Sequence, residues 1–271
     1  MKTRIISAVV AIIILAAVLY LGSTAVGIAV FALAIVGVFE FYRALSKSGY
    51  KPVYAVGMAA CLPLLYPALS ANITDITDNA GLLVGISAFI LTVVLLCILI
   101  FSDGKYKVAD ISITFFGVFY VAFLLSFITL TRKLNNGYLY IWLIFIGALM
   151  TDTFAYFTGV AIGKTKILPK VSPKKTLEGS IGGVIGCIAA MLLFGYYFKA
   201  ILGIELYHFA LLGTICSVVS QLGDWAASAI KRQAGIKDYG KIMPGHGGVL
   251  DRVDSILFVA PVVYIYLTLF V

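Results

Sequence analysis

The chain alternates long apolar runs with short polar interruptions. The runs lie near 5–21, 24–44, 53–69, 82–101, 111–130, 138–161, 180–202, 206–230 and 254–271. Each approaches or exceeds the roughly 20 apolar residues that a helix needs to cross a bilayer core. They predict nine transmembrane helices, hence an all-α integral membrane protein built as a polytopic helical bundle. The third run is interrupted by Pro63 and Pro67. The first has the charged start and apolar stretch of a signal peptide, "MKTRIISAVVAIIILAAVLYLGS". A second apolar run follows almost at once, so the first is expected to stay as an uncleaved span. No fixed-period repeat or low-complexity segment is visible.

Composition agrees with the pattern. Of 271 residues 62% are hydrophobic and only 12% charged, with a mean hydropathy of +1.08. A soluble domain carries about twice that share of charge, so an ordinary water-soluble globule is excluded. The length suits one integral domain and no separate soluble one. The organisation expected is residues 1–135 as N-terminal transmembrane helices, and 136–271 as a C-terminal catalytic region with loops 163–179 and 231–253.

The net charge of +8 could suggest nucleic acid, but its distribution argues against that partner. With nine spans and the N-terminus in the cytoplasm, 17 of the 20 lysines and arginines fall on the inner side. Arg132, Lys133 and Lys199 fall outside. That asymmetry is how membrane orientation is encoded. The outer segment "SANITDITDNAG" is acidic and holds a sequon at Asn72. Cys61, Cys97, Cys187 and Cys216 each lie within an apolar run, far apart, and are expected to be packing residues rather than disulfides or metal ligands.

Two aspartates stand inside predicted spans, Asp152 in "GALMTDTFAYFTG" and Asp224 in "SVVSQLGDWAASAIKR". Each costs roughly 2.5–3.5 kcal/mol at a helix centre on insertion scales, and such residues are seldom kept without pairing or function. Asp224 lies ~10 Å and Asp152 ~16 Å along its helix from the inner end, at 1.5 Å per residue. Asp251 and Asp254 share a face if the start of the last span is helical. Four carboxylates are thus expected to converge on an inward-opening cavity. Structural pairing with lysines is the plainer alternative for Asp152 and Asp224. Glu40, three residues before Arg43 at a helix end, is expected to form a local ion pair.

The inner loop "GKTKILPKVSPKKTLEGS" carries five lysines. A positive-inside anchor explains these, but not Ser172, Thr176, Glu178 and the glycines set around Lys174 and Lys175. A helix N-terminus beside lysines suits a phosphate. The later stretch "KRQAGIKDYGKIMPGHGGVLDRVDS", Lys231 to Ser255, gathers charge and backbone-permissive residues in one place. Gly245, Gly247 and Gly248 surround His246 and can turn N–H groups toward an anion. Lys231, Arg232, Lys237, Lys241 and Arg252 add positive charge. Asp224, Asp251 and Asp254 offer the hard oxygens that suit Mg²⁺ carried with substrate phosphates. These are parts for phosphoryl or nucleotidyl transfer.

The stretch from Ser228 to Asp254, "SAIKRQAGIKDYGKIMPGHGGVLDRVD", closely resembles the signature of the phosphatidate cytidylyltransferase, or CDP-diacylglycerol synthase, family. That signature runs Ser-x-apolar-Lys-Arg, Lys-Asp, Pro-x-His-Gly-Gly and Asp-Arg-apolar-Asp. "SPKKTLEG" and "DTFAYFTG" from Asp152 are also similar to family segments. The specific match runs from about Asp152 to the end, with Met243 as a small departure.

The resemblance implies that CTP and phosphatidic acid give CDP-diacylglycerol and pyrophosphate, in phospholipid biosynthesis at a bacterial plasma membrane, with the site facing the cytoplasm. Asp224, Asp251 and Asp254 are then expected to hold Mg²⁺, with room for a second cation. Asp224, Asp251, Lys231, Arg232 and His246 form the expected catalytic set. His246 either donates to leaving pyrophosphate or shapes the turn. Substrate contacts are expected from Ser172, Lys174, Lys175, Thr176, Glu178, Lys237, Asp238, Gly247, Gly248 and Arg252. Asp152 either tunes the metal or pairs with a loop lysine. A homodimer is compatible with the Gly-rich spans. A CTP-dependent lipid kinase and an ion-coupled transporter are the rival readings.

Overall fold

The computed structural model describes residues 13–70, 73–240, 242 and 247–271, and of 73–80 the backbone only. The first part of the first expected span (5–12), the sequon Asn72, Lys241 and His246 lie outside the described residues. The helices are α1 (13–20), α2 (Ser23–Ser46), α3 (Tyr54–Ala59), α4 (Leu65–Leu69), α5 (Ile73–Phe101) and α6 (Val108–Gly117). Then come α7 (Leu124–Lys133), α8 (Gly137–Ile162), α9 (Leu177–Leu202), α10 (Leu206–Gln233) and α11 (Leu250–Phe270). A π-helical stretch, Val118–Phe123, joins α6 to α7 in one continuous rod.

The protein is therefore an all-α polytopic membrane protein. Among the described residues seven helices are long and apolar enough to cross a bilayer. They coincide with seven of the nine expected runs. Their apolar side chains face outward in quantity: Phe89, Ile100, Val160 and Tyr197 are each about 70% exposed. In water that surface would aggregate; in hydrocarbon it is matched.

The chain forms two compact units, Met1–Lys133 with Gln233–Arg252, and Leu134–Arg232 with Val253–Val271. In the first, α2 is the central element. The run 53–69 is not the single helix the apolar pattern suggests. It breaks into α3, a 3-10 turn at Leu62–Leu64 and α4. Pro63 and Pro67 each lack the N–H that an α-helix interior would use.

The broken segment nevertheless runs the length of its neighbours. Before it, Lys51 donates its backbone N–H to Asp110 at 2.6 Å, at the start of α6. After it, the carbonyl of Ser70 accepts from Lys133 Nζ at 2.6 Å, at the end of α7. Along α2, Gly57 lies under the Tyr42 ring, and Ala68 lies against Gly27. Those two α2 positions are ~22 Å apart at 1.5 Å per residue, close to a hydrocarbon core's thickness.

Three polar residues fasten this packing. Tyr42 Oη donates to the Thr114 carbonyl (2.6 Å), and Val53 N–H donates to Thr114 Oγ1 (2.8 Å). Asp110 also accepts from Lys107 N–H (2.8 Å), closing the first turn of α6.

In the second unit α8 and α9 pack face to face. Gly182 meets Thr158, and Gly186 lies against the Phe154 ring, so a side chain at either glycine would collide. This is close helix approach through small residues. Cys187 and Cys216 are buried and free, as is Cys61 in the first unit, while Cys97 is free and exposed. Three of the four cysteines are therefore packing residues as expected, and Cys97 is not.

The loop between α8 and α9 is more ordered than the sequence suggests. It forms a two-stranded antiparallel hairpin, β1 (Lys166–Leu168) and β2 (Ser172–Thr176), pairing Lys166 with Thr176 and Leu168 with Ser172. Its lysine-rich strands show no apolar alternation, so local pattern gave no strand signal.

Candidate active site

The second unit brings an acidic cluster around one lysine. Asp152 comes from α8, Asp224 from α10 and Asp254 from the first turns of α11. Lys175, near the end of β2, reaches into them and forms an ion pair with Asp224. Burial alone would lower the Lys175 pKa, but Asp224 first, and then Asp152 and Asp254, outweigh it and hold the ammonium above its usual range. Ser255 links two of the acids. Its Oγ donates to Asp152 Oδ2 at 3.2 Å, and its N–H donates to Asp254 Oδ1 at 2.9 Å. Lys231 is close enough for its charge to act on Asp254. Arg232, on the exposed side of α10, donates through Nε to the Val171 carbonyl at 3.2 Å, tying α10 to the hairpin tip.

Two residues expected to touch substrate also shape the hairpin. Thr176 is buried and caps α9, its Oγ1 accepting from Gly179 N–H at 3.2 Å. Such a cap contributes ~1 kcal/mol. Glu178 accepts from Lys164 N–H (3.0 Å), Thr165 N–H (3.2 Å) and Thr165 Oγ1 (2.9 Å). It closes the base of the loop. Lys174 is exposed beside them, with Ser172 partly so.

The first unit holds the rest of the expected set. Lys237, Asp238 and Arg252 are exposed. Asp251 is buried, and its Oδ2 accepts from the N–H groups of Tyr239 (2.8 Å) and Gly248 (3.0 Å). Gly247 takes a left-handed φ of 87°, which a glycine adopts without strain. Glu40 corrects an expectation. It makes no ion pair with Arg43; its Oε2 accepts the N–H of Leu250 at 2.8 Å, 210 residues along the chain. Arg43 Nη2 donates to the Tyr239 carbonyl at 3.3 Å.

Ser255 is the residue that sequence reasoning passed over, and Glu40 is the one whose partner it misassigned. Ser255 is the hydroxyl directly after Asp254 at the start of an apolar span. Glu40 is an acid in an otherwise apolar helix, and that cost was the available signal.

Among the described residues no group of three His, Cys, Asp or Glu side chains is arranged to hold a metal by itself. The donor chemistry still fits Mg²⁺, which is commonly held by one or two carboxylates plus substrate phosphates. Asp224 and Asp254 supply that pair of hard-oxygen groups. That a lysine charge is stabilised among them shows a local field favouring a cation.

Comparison with known proteins now decides the family. The model of the cytidylyltransferase family matches residues 2–270. The chain belongs to this family. It is 33% identical over 267 residues to the phosphatidate cytidylyltransferase of Staphylococcus haemolyticus, covering 98% of this chain and 99% of that protein. It is 32% identical over 271 residues to that of Bacillus subtilis, covering 100% and 98%. The phosphatidate cytidylyltransferase of Thermotoga maritima is 32% identical over 270 residues, covering 98% and 95%. Membership of the cytidylyltransferase family spans the whole chain, whereas the motif resemblance covers only its second half.

Proposed function

We propose that this protein transfers the cytidylyl group of CTP to phosphatidic acid, giving CDP-diacylglycerol and pyrophosphate. The observation that carries this is Lys175 held among Asp152, Asp224 and Asp254, in a chain of the cytidylyltransferase family. A phosphate oxygen of phosphatidic acid attacks the α-phosphorus of CTP. The bond from that phosphorus to the bridging oxygen breaks, and pyrophosphate leaves with the electron pair. The nucleophile is already an anion, so no serine or cysteine needs activating. The protein's work is to bring two repelling anions together and to stabilise the charge that develops.

Asp224 and Asp254 are the groups that hold Mg²⁺; when bound, the ion neutralises charge on the nucleotide phosphates. Lys175 passes from Asp224 to a phosphate oxygen as the nucleotide enters. Lys174, Lys231 and Arg232 contact phosphates from the hairpin side. The family motif assigns Lys237 and Arg252, in the loop that Asp251 keeps in shape, to phosphate binding as well. The site faces the cytoplasm of a bacterial plasma membrane. Supporting this are the inner placement of 17 of 20 basic residues and a broken segment, 54–69, that runs the length of the α6–α7 rod. Counting that segment as a crossing keeps the charge asymmetry consistent.

The test is turnover of CTP labelled in its cytosine by purified protein in phosphatidic-acid micelles with Mg²⁺. Label is expected in the lipid, with one pyrophosphate released per transfer, and loss of both in EDTA and in Asp224→Asn. Release of CDP without lipid-bound cytidine would replace this reading with a lipid kinase.

A further inference from the structure

Glu40 is 1% exposed in the middle of an apolar run. A carboxylate there needs partners, and it finds them in the loop after α10. Its Oε2 accepts Leu250 N–H, while its two oxygens fill the space beside Gly240 and Gly248. A Cβ at either glycine would collide with the carboxylate. Nearby on α2, Arg43 Nη2 donates to the Tyr239 carbonyl, and just past its end Ser48 Oγ donates to that of Gln233 at 3.5 Å. Within the loop, Asp251 takes the N–H groups of Tyr239 and Gly248. Two acids, one from each end of the sequence, thus hold two backbone N–H groups of the loop and that of Leu250, where the loop enters α11.

We propose that Glu40 is a positioning residue for cytidylyl transfer, its carboxylate clamping the loop that carries Lys237 and Arg252. Gly240 and Gly248 are glycines because that carboxylate occupies the space of their side chains. This rests on the reading that the loop takes part in the reaction. Glu40 acts through the loop and touches no reacting atom. It also gives the N-terminal half a task beyond spanning the membrane.

The experiment uses the full chain in phosphatidic-acid micelles and reads both turnover and backbone amide exchange. Glu40→Ala is expected to speed exchange at 247–250 and to lower turnover about 100-fold, the scale of a misplaced group. Glu40→Gln keeps an oxygen that can accept from Leu250 and is expected to stay within about tenfold of wild type. Gly248→Ala is expected to resemble Glu40→Ala. Glu40→Asp, shorter by one methylene, is expected to restore turnover to Gly248→Ala in the double variant.

That rescue is a result that loss of folding alone cannot produce, and it keeps the test valid if Glu40→Ala does not fold. Wild-type exchange in Glu40→Ala, equal loss in Glu40→Gln and Glu40→Ala, or no rescue would each overturn the clamp. Arg252→Ala separates the two readings. If it abolishes turnover while Glu40→Ala does not, only the clamp falls. If neither variant affects turnover, the loop's part in the reaction falls as well.

Discussion

Lys175 keeps its positive charge against burial because Asp224, Asp152 and Asp254 outweigh the lost hydration. Its pKa is raised in the folded protein from the ordinary 10.5. The stability it contributes is therefore complete below the ordinary lysine value and lost only as pH rises through the raised one. The stability advantage of wild type over Lys175→Met should accordingly shrink as pH rises above the ordinary lysine value of 10.5, as the two thermal midpoints converge. The Lys175–Asp224 pair is partly exposed, at 30% and 18%, so screening reduces its worth. A double-mutant cycle of Lys175→Met with Asp224→Asn should give a coupling of about 1 kcal/mol in chemical denaturation. At this scale the sequence was informative about which residues are costly and poor about what they touch. Asp152 and Asp224 stood out as acids in hydrocarbon, and both lie in the cluster. Glu40 stood out equally, but its partner Leu250 is 210 residues away. No local pattern carries that distance, so the nearby Arg43 looked like the partner.

The elements show why hydropathy alone under-describes such a chain. The ends of α8, α9 and α10 follow the apolar runs within a few residues, because length and hydrophobicity set them. The run 53–69 kept its place but lost its helical continuity to two prolines. α5 begins at Ile73, ahead of its apolar run, because a polar segment can continue a helix outside hydrocarbon. The β1–β2 hairpin was invisible to pattern, since its order comes from Glu178 at its base and Arg232 at its tip. Glu178→Ala should therefore speed amide exchange at Lys164 and Thr165 by about tenfold, the equivalent of one net hydrogen bond. Helix packing makes a second prediction. Gly186→Val would press into the Phe154 ring, and overpacking of this kind costs about 1–3 kcal/mol. A lowered denaturation midpoint checks it, and Phe154→Ala should relieve it.

At the scale of the whole molecule, orientation is the property that decides which substrates can arrive. Lys174 stands in β2 just before α9 and Lys199 in the last turn of α9, so ~33 Å of helix from Leu177 to Lys199 lies between them, at 1.5 Å per residue. In sealed vesicles of known sidedness, a cysteine replacing Lys174 should react with a membrane-impermeant thiol reagent only from the inner face, and one replacing Lys199 only from the outer. Cys61, Cys187 and Cys216 are buried, which leaves Cys97 as the native thiol to replace first. Reaction of both positions from one side would remove the assigned topology. The Lys175–Asp224 ion pair also bears on how the protein comes into being. A membrane enzyme whose acids awaited an external ion would have to be inserted with unbalanced charge. This chain brings its own counter-ion on a hairpin made just before α9 and α10 are threaded in. On the proposed Mg²⁺ site, biogenesis is thereby uncoupled from metal supply: a cell short of magnesium is expected to assemble the protein in full and to lose only its output.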